Sequence, residues 1–489
     1  MLGIILGPYF FTYFLNQEMI KMKVIIVGVG KLGYKLAEAM LNEDIDVTLV
    51  DSNPKVLERI NDHLDVLTVT ANGIEMDVLK ELSIETYDLL VAATSSDETN
   101  TIICALAKKV GCKKTIARIR NPEYMKQLDF VKAEMGIDHI INPELATANA
   151  IEKYLLKNYN FYSGDFASGK VSMVDFNIGN MNNFVGKKIE DIDDLDGLLI
   201  TAISRNGTII IPYGSIELVE NDVIHIIGQS KNIEKLNSKL DVNINKKHVK
   251  NAMILGGGKI GYYLAQRLTS YNINVVIIEQ DKKRCEYLSE KLNNVLIIHG
   301  DGTDMNLLEE ENLSSMDAFI GVTGYDEQNL LMALMAKQSG VNKTIAKISR
   351  PSYVHIIDKL GLDVALNPVN ITASNILKYI RGGKVVSVSL LLDGQGEVTE
   401  IIASENTPIV GKPLSKLGLP KGIIIGAIVH EENVIIPNGD SIIHPNDRII
   451  VFCLTSDLPS LNMFIKSHKG GIFSELWNHN QGTGKYIKR

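Results

Sequence analysis

Cysteine is scarce in this chain: Cys104, Cys112, Cys285 and Cys453 are the four in 489 residues, and they lie far apart. No Cys-x-x-Cys pair occurs, which argues against a disulfide framework or a structural zinc site; free thiols in a reducing compartment are the simplest reading. A long apolar run is missing too. Leu2 to Leu15 is uncharged and rich in Ile, Leu, Phe and Tyr, but it is interrupted by Pro8 and falls short of the roughly 20 residues a spanning helix needs. It also lacks the basic start and small-residue cleavage site of a signal peptide. A start-like Met22-Lys23 follows directly before the first predicted strand, so residues 1–21 read as an extension outside the domains, with a weak membrane-surface anchor as the alternative. Positive charge is in deficit as well. Lys and Arg number 50 against 58 Asp and Glu, a net charge of -8, and no local basic stripe appears, so nucleic acid is not expected as a partner.

Catalytic signatures are equally absent. There is no HExxH, no Walker A and no GxSxG motif. Tyr-x-x-x-Lys occurs once, at Tyr287 and Lys291, but inside the helix after a second strand, where it reads as helix surface. His225, His430 and His444 sit in strands and turns of the small lobes with no second histidine at ligand spacing, so they read as core or surface histidines, and no metal site is expected.

What is present is ordinary globular composition, 45% hydrophobic and 22% charged, and a large internal repeat. VIIVGVGKLGY (24–34) returns as AMILGGGKIGY (252–262), and VTLVDSNPK (47–55) as VVIIEQDKK (275–283). LLVAATSSDETN (89–100) returns as AFIGVTGYDEQN (318–329), TIARIRNPEY (115–124) as TIAKISRPSY (344–353), and IINPELATANAI (140–151) as ALNPVNITASNI (365–376). A second, different unit follows each: FVGKKIEDI (184–192) matches IVGKPLSKL (409–417), and IIIPYGSIELVENDVIHIIG (209–228) matches VIIPNGDSIIHPNDRIIVFC (434–453). The order is therefore A-B-A′-B′.

Unit A alternates apolar strands with helices, the pattern of a parallel sheet buried on both faces. Unit B is short and β-rich. The predicted fold is α/β: two tandem Rossmann-type doubly wound parallel-sheet domains, each followed by a small α+β lobe. The expected boundaries are 22–145 for the first Rossmann lobe, 160–240 for its C-lobe, 249–370 for the second Rossmann lobe and 384–468 for its C-lobe, with a tail over 469–489. Helices Leu145–Tyr159 and Ile371–Ile380 are expected as the A-to-B crossovers, and the polar stretch Lys231–Lys250 as the linker between halves.

The chemistry sits in the strand-to-helix loops. Gly28-Val29-Gly30-Lys31-Leu32-Gly33 follows a strand and opens a helix. Its glycines permit a tight turn, backbone approach to a pyrophosphate, and close helix–strand packing, while the helix N-terminus offers N–H groups to phosphate. The copy carries Gly256, Gly258, Lys259 and Gly261. Asp51 and Glu279 end the second strand of each unit, placed to accept hydrogen bonds from an adenosine ribose; a carboxylate there repels a 2′-phosphate and favours NAD(H) or another unphosphorylated adenosine ligand over NADP. Thr94 and Ser95, with Thr323 as counterpart, end the fourth strand, where a hydroxyl can meet ribose or phosphate or cap a helix. Arg118 and Lys347 put a cation at the end of the fifth strand. Asp301, in the Asp301-Gly302 turn after the third strand of the second unit, is a further candidate contact. Hydride-transfer catalysis by an NAD-dependent oxidoreductase stays open as an alternative function, although no proton donor for it is evident.

The paired GxGKxGY loops, Asp51 and Glu279, and the motifs TSSDETN and TGYDEQN in A-B-A′-B′ order resemble the TrkA family, tandem-RCK regulatory subunits of Trk potassium-uptake systems. The resemblance covers Met22 to about residue 467. It implies a ring-forming homo-oligomer on the cytoplasmic face of the membrane, docked on a multi-span Trk-type potassium transporter, binding NAD(H) or ATP/ADP and gating transport without catalysis. It also implies that the glycine loops hold pyrophosphate, Asp51 and Glu279 ribose, and Thr94, Ser95 and Arg118 the remainder of the first site. Regulation of potassium efflux is the other function the resemblance allows. Ser349 stands where the first unit has Arg120, a departure in the second site.

Overall fold

The computed structural model describes residues 21–465 apart from 44, 126, 157–163, 181–183, 193–194, 196, 240–248, 351–352, 354–361 and 383. The front extension before Lys21 and the tail lie outside the described residues.

Strands β1 (Lys23–Val27), β2 (Asp46–Asp51), β3 (Leu67–Thr70), β4 (Leu89–Ala92), β5 (Lys114–Arg118) and β6 (His139–Ile141) form one parallel sheet in the order β3-β2-β1-β4-β5-β6. Its central strands are apolar throughout because both faces are covered. Val24 and Ile26 join one core, and Ile25 and Val27 the other. The next five strands, β7 (Gly164–Phe166), β8 (Val171–Asn177), β9 (Leu198–Arg205), β10 (Thr208–Ile210) and β11 (Val223–Gln229), make an antiparallel sheet ordered β10-β9-β11-β8-β7.

The second half repeats both sheets. Strands β12 (Asn251–Leu255), β13 (Asn274–Glu279), β14 (Val295–His299), β15 (Ala318–Gly321), β16 (Lys343–Lys347) and β17 (Val364–Leu366) are ordered β14-β13-β12-β15-β16-β17. Strands β18 (Val385–Leu391), β19 (Gly396–Ile402), β20 (Ile423–His430), β21 (Asn433–Ile435) and β22 (Arg448–Leu454) are ordered β18-β19-β22-β20-β21, the matching permutation. In each Rossmann sheet the strand order reverses beside the first strand, so the crevice of the switch point opens at the carboxyl end of β1 and of β12.

The helices that position the site are α1 (Lys31–Leu41), α2 (Asp97–Val110), α3 (Pro143–Leu156), α4 (Ser230–Lys239), α5 (Lys259–Ser270), α6 (Lys282–Lys291), α7 (Asp326–Gln338) and α8 (Pro368–Arg381). Both crossover helices start earlier than the apolar pattern suggests. Asn142 Oδ1 accepts from Leu145 N at 2.9 Å, and Asn367 Oδ1 accepts from Val369 N at 2.9 Å. Asn caps and Pro at the first helical position are good N-terminal signals.

The crossovers link A to B as expected, but their burial partners belong to the other half. Helix α3 packs on α5, and α8 packs on α1. Ala148, Ile151, Tyr154 and Leu155 enter the core of the second Rossmann lobe; Ala373, Ile376, Leu377 and Ile380 enter that of the first. Polar groups fix both exchanges. Lys343 Nζ donates to the carbonyls of Tyr154 (3.2 Å) and Leu155 (3.1 Å), a cation at the last carbonyls of a helix. Arg381 is buried at the end of α8. It holds Glu43 of the first Rossmann lobe, with Nη2–Oε1 at 2.6 Å, and Glu397 of the second C-lobe, with Nη1–Oε1 at 2.6 Å. The two C-lobe sheets share a further core, with Phe166, Met173 and Ile227 against Val398, Val429 and Phe452.

One expectation changes. Residues 230–239 of the presumed linker are helical, because Ile233 and Leu236, three apart, both bury in the first C-lobe core; residues 240–248 lie outside the described residues.

Candidate functional site

The glycine loops are built to one plan. Gly28 has φ +94°, and a Cβ there would lie 2.6 Å from Thr94 N; Gly256 has φ +106° and faces Thr323. A Cβ on Gly33 would fall 2.3 Å from the Gly28 carbonyl oxygen, and one on Gly261 2.1 Å from that of Gly256, so helix and loop close on each other. Gly30 and Gly258 differ: a Cβ on either would meet nothing within 4 Å. An added side chain at either position would thus stand in open space beside the helix start, where the first N–H groups of α1 and α5 have no intrahelical partners. Val29 and Leu32 turn their side chains into the core, and the Val29 N–H already donates to Asp51. Lys31 is exposed and Lys259 half-buried at the loop mouths.

Asp51 and Glu279 brace these loops from the second strand. Asp51 Oδ2 accepts from Val29 N at 2.8 Å and Oδ1 from Asn53 N at 2.9 Å. Glu279 Oε2 accepts from Gly257 N at 2.8 Å and Oε1 from Asp281 N at 2.9 Å. Each carboxylate oxygen keeps a second lone pair that can accept from a ribose hydroxyl. The longer Glu279 reaches the same backbone position because Gly257 has no side chain: a Cβ there would sit 3.2 Å from Glu279 Oε2 and 2.4 Å from Leu288 Cδ1.

The strand ends are locked by residues that sequence reasoning did not single out. Asn100 is fully buried; its Oδ1 accepts from Thr94 N (2.8 Å) and Oγ1 (2.7 Å), and its Nδ2 donates to the Arg118 carbonyl at 2.9 Å. Asn329 does the same for Thr323 and the Lys347 carbonyl. Asp97 accepts from the backbone N–H groups of Arg120 and Asn121, both at 2.8 Å. The repeated D-E-x-N spacing was the available signal. Helix α2 is capped by Ser96, not by Thr94 or Ser95; the Ser95 carbonyl accepts from Arg120. Thr94 Oγ1 donates to Asn100, so its remaining capacity toward a ligand is as an acceptor. Asp301 accepts from Thr303 N (2.9 Å) and Oγ1 (2.8 Å), bonds that lower its pKa and shape its turn.

Arg118 lies 3.9 Å from Glu144, and its Nε is buried with no hydrogen-bond partner among the described residues; burial lowers its pKa. Lys347 Nζ donates to the Thr323 carbonyl at 2.5 Å, and burial lowers its pKa also. The second loop has one brace the first lacks. Arg284, on α6, donates to the carbonyls of Gly257 (2.6 Å) and Gly258 (3.2 Å), where the first half has Val56. The two sites also abut. Tyr263 of α5 donates to the Arg120 carbonyl at 3.1 Å and accepts from Asn142 Nδ2 at 2.9 Å. Tyr287 and Lys291 sit on α6, where Lys291 is 3.7 Å from Glu123 and Arg284 lies over the Tyr287 ring.

Two of the histidines that lack a partner at ligand spacing in the sequence are neighbours in the fold. His430 and His444, 14 residues apart, come together at the β20 end and the turn before β22, with ring centroids 5.2 Å apart and Asp447 between them. Antiparallel strand pairing brings them together, which linear spacing does not reveal.

No helix among the described residues is long and apolar enough to cross a membrane. The TrkA-N domain model matches residues 24–143 and 252–368, and the TrkA-C domain model matches 173–241 and 398–466. Curated relatives include the Trk system potassium uptake protein TrkA homolog 2 of Methanosarcina mazei, 38% identical over 91% of this chain and 100% of its own length. They also include the Trk system potassium uptake protein TrkA of Vibrio alginolyticus, 34% identical over 88% and 95%. Among solved structures, the GsuK RCK domain aligns with a TM-score of 0.53 at 17% identity, covering 92% of this chain and 96% of that one. The GsuK channel bound to NAD aligns with 0.53 at 16%, covering 92% and 79%. These likenesses support a duplicated RCK-type fold of Rossmann lobe plus C-lobe. With both domain models matched twice and in order, the chain belongs to the TrkA family.

Proposed function

We propose that the chain is the nucleotide-binding regulatory subunit of a Trk-type potassium-uptake transporter, and that it gates transport without catalysing a reaction. The observation that carries this is the duplicated loop: an open helix start over Gly30 or Gly258, a carboxylate braced by the loop backbone, and a strand-end cation. Pyrophosphate would lie on the N–H groups of Lys31–Gly33, with Arg118 offering charge and Lys31 closing the mouth. Asp51 would accept from ribose hydroxyls, and Thr94 and Ser95 would border the first site. In the second, Gly256, Gly258, Lys259 and Gly261 would hold the phosphates, with Glu279, Thr323, Lys347 and Asp301 around them. NAD(H) is the first candidate ligand and ATP or ADP the second; the GsuK channel, which shares the RCK fold, binds NAD.

Gating follows from linkage. A ligand shifts two conformations of an assembly only by its differential affinity for them. The two sites abut, and each half buries a helix of the other, so a change at one loop reaches a neighbouring lobe through packed side chains. We place the protein as a homo-oligomeric ring on the cytoplasmic face of the membrane, held there by the transporter. The test is potassium uptake in a deletion strain lacking redundant systems. Restoration by the intact chain, and failure of restoration by an Asp51→Ala/Glu279→Ala double variant, are expected; normal uptake without the chain would rule the reading out.

A further inference from the structure

The duplication supplies an internal control in the C-lobes. In the first, Asp222 is fully buried and accepts from Arg205 Nε and Nη2, both at 2.7 Å, and from Val219 N at 3.0 Å. A permanent cation thus neutralises a buried carboxylate, as burial requires. In the second C-lobe the aspartate and its turn are retained: Asp447 is buried, and its Oδ2 accepts from His444 N at 2.8 Å. The partners have changed. His430 stands at the Arg205 position and His444 at the Val219 position. His430 Nδ1 lies 2.6 Å from Asp447 Oδ1, and His444 Nδ1 lies 3.7 Å from Oδ2. One fixed guanidinium has given way to two imidazoles.

Two imidazole nitrogens and a carboxylate oxygen, all within 4.8 Å of one another, are a donor set for a borderline divalent cation. The backbone N–H of His444 orients the carboxylate from behind, as an outer-shell partner does. The His430 and His444 side chains are 45% and 58% exposed, which leaves an entry path and room for a water ligand. Zinc–ligand bonds of 2.0–2.2 Å put neighbouring tetrahedral ligands roughly 3.3 Å apart. His430 must therefore withdraw slightly and His444 approach slightly, and both rings have solvent on one side to allow it.

We propose that His430, His444 and Asp447 form a divalent transition-metal site of the zinc class, in which the metal takes the place held by the Arg205 guanidinium in the first C-lobe. The site is independent of the nucleotide loops. The rival occupant is a proton on His430, whose pKa is raised by the hydrogen bond that its ring donates to the Asp447 carboxylate. Metal at this position would couple the β20 end to the turn before β22, two strands whose Val429 and Ile450 lie in the core shared by the two C-lobes.

The test is a Zn2+ titration of the chelator-stripped full chain against a competing chromophoric chelator, with thermal unfolding in parallel. His430→Arg rebuilds the arginine–aspartate pair of the first C-lobe and serves as the folded control. The wild-type chain should bind Zn2+ and gain thermal stability from it. His430→Arg should lose that binding and that gain, and His444→Ala should weaken binding by roughly tenfold or more. Zn2+ affinity and stoichiometry equal in the wild type and both variants would overturn the proposal. Absence of Zn2+ binding at micromolar concentration would do the same, leaving the proton as occupant. If His430→Arg fails to fold, the His444→Ala comparison decides alone.

Discussion

In the first half of the chain a valine, a short carboxylate and a guanidinium occupy positions that hold a glycine, a longer carboxylate and an imidazole in the second: Val29 and Gly257, Asp51 and Glu279, Arg205 and His430. The backbones correspond, with matching strand orders in all four sheets. The first two differences cancel each other. Removing the side chain at 257 makes room for the extra methylene at 279, and the carboxylate–N–H distance is 2.8 Å in both halves. The third comes with His444 in place of Val219, and the two imidazoles about Asp447 are where a new ligand is proposed.

The interfaces between halves offer the largest contrast to break. Arg381 is buried and paired with two carboxylates, whereas Arg267, which pairs with Glu152 in the reciprocal exchange, has 40% of its side chain exposed. Arg381→Ala should cost about 3–5 kcal/mol in chemical denaturation, because it takes the buried guanidinium away from two buried carboxylates. Arg267→Ala should cost clearly less; equal losses would mean that burial does not distinguish the two exchanges. Next come the loops. Gly33→Ala and Gly261→Ala force a Cβ against a carbonyl oxygen and should each lose about 1–3 kcal/mol, with nucleotide affinity falling at the altered loop.

The paired substitution itself can be tested by transplantation. Asp51→Glu alone should weaken NAD(H) binding by about tenfold, or 1.4 kcal/mol, and adding Val29→Gly should restore it. A double variant no better than the single one would show that the correspondence of the two loops is coincidental. The smallest effect concerns pH. Burial lowers the Lys343 pKa to about 8, against about 10.4 in an unfolded chain. The unfolded state therefore binds more protons between these values, so this group makes stability rise with pH across about 8 to 10.4. Lys343→Met should flatten that slope; an unchanged slope would assign it to another group.

Much of this was legible in the sequence, for physical reasons. The glycine loops and the carboxylates that end the second strands are local, since each needs one residue type at one place on a turn. The alternation of unit A identifies the parallel sheets. What escaped is what folding brings together. The exchange of α3 and α8 could not be read, because the choice between the two homologous partner helices α1 and α5 depends on tertiary packing and leaves no local periodicity in the sequence. Asn100 and Asp97 were visible within a repeated motif, but their role depends on β4 and β5 ending side by side. Arg284 braces the second loop from a helix whose first-half counterpart has Val56 there. The His430–His444 pair depends on antiparallel pairing in the second C-lobe, which linear spacing does not encode.

Nucleotide recognition is proposed to rest on a braced carboxylate beside an open glycine loop. Calorimetric titration of the full chain with NADH, repeated for Asp51→Ala, tests it most directly. Saturable binding to the intact chain is expected, with a loss of affinity of roughly tenfold or more at the first site in the variant. NADH affinity left intact by Asp51→Ala would contradict it.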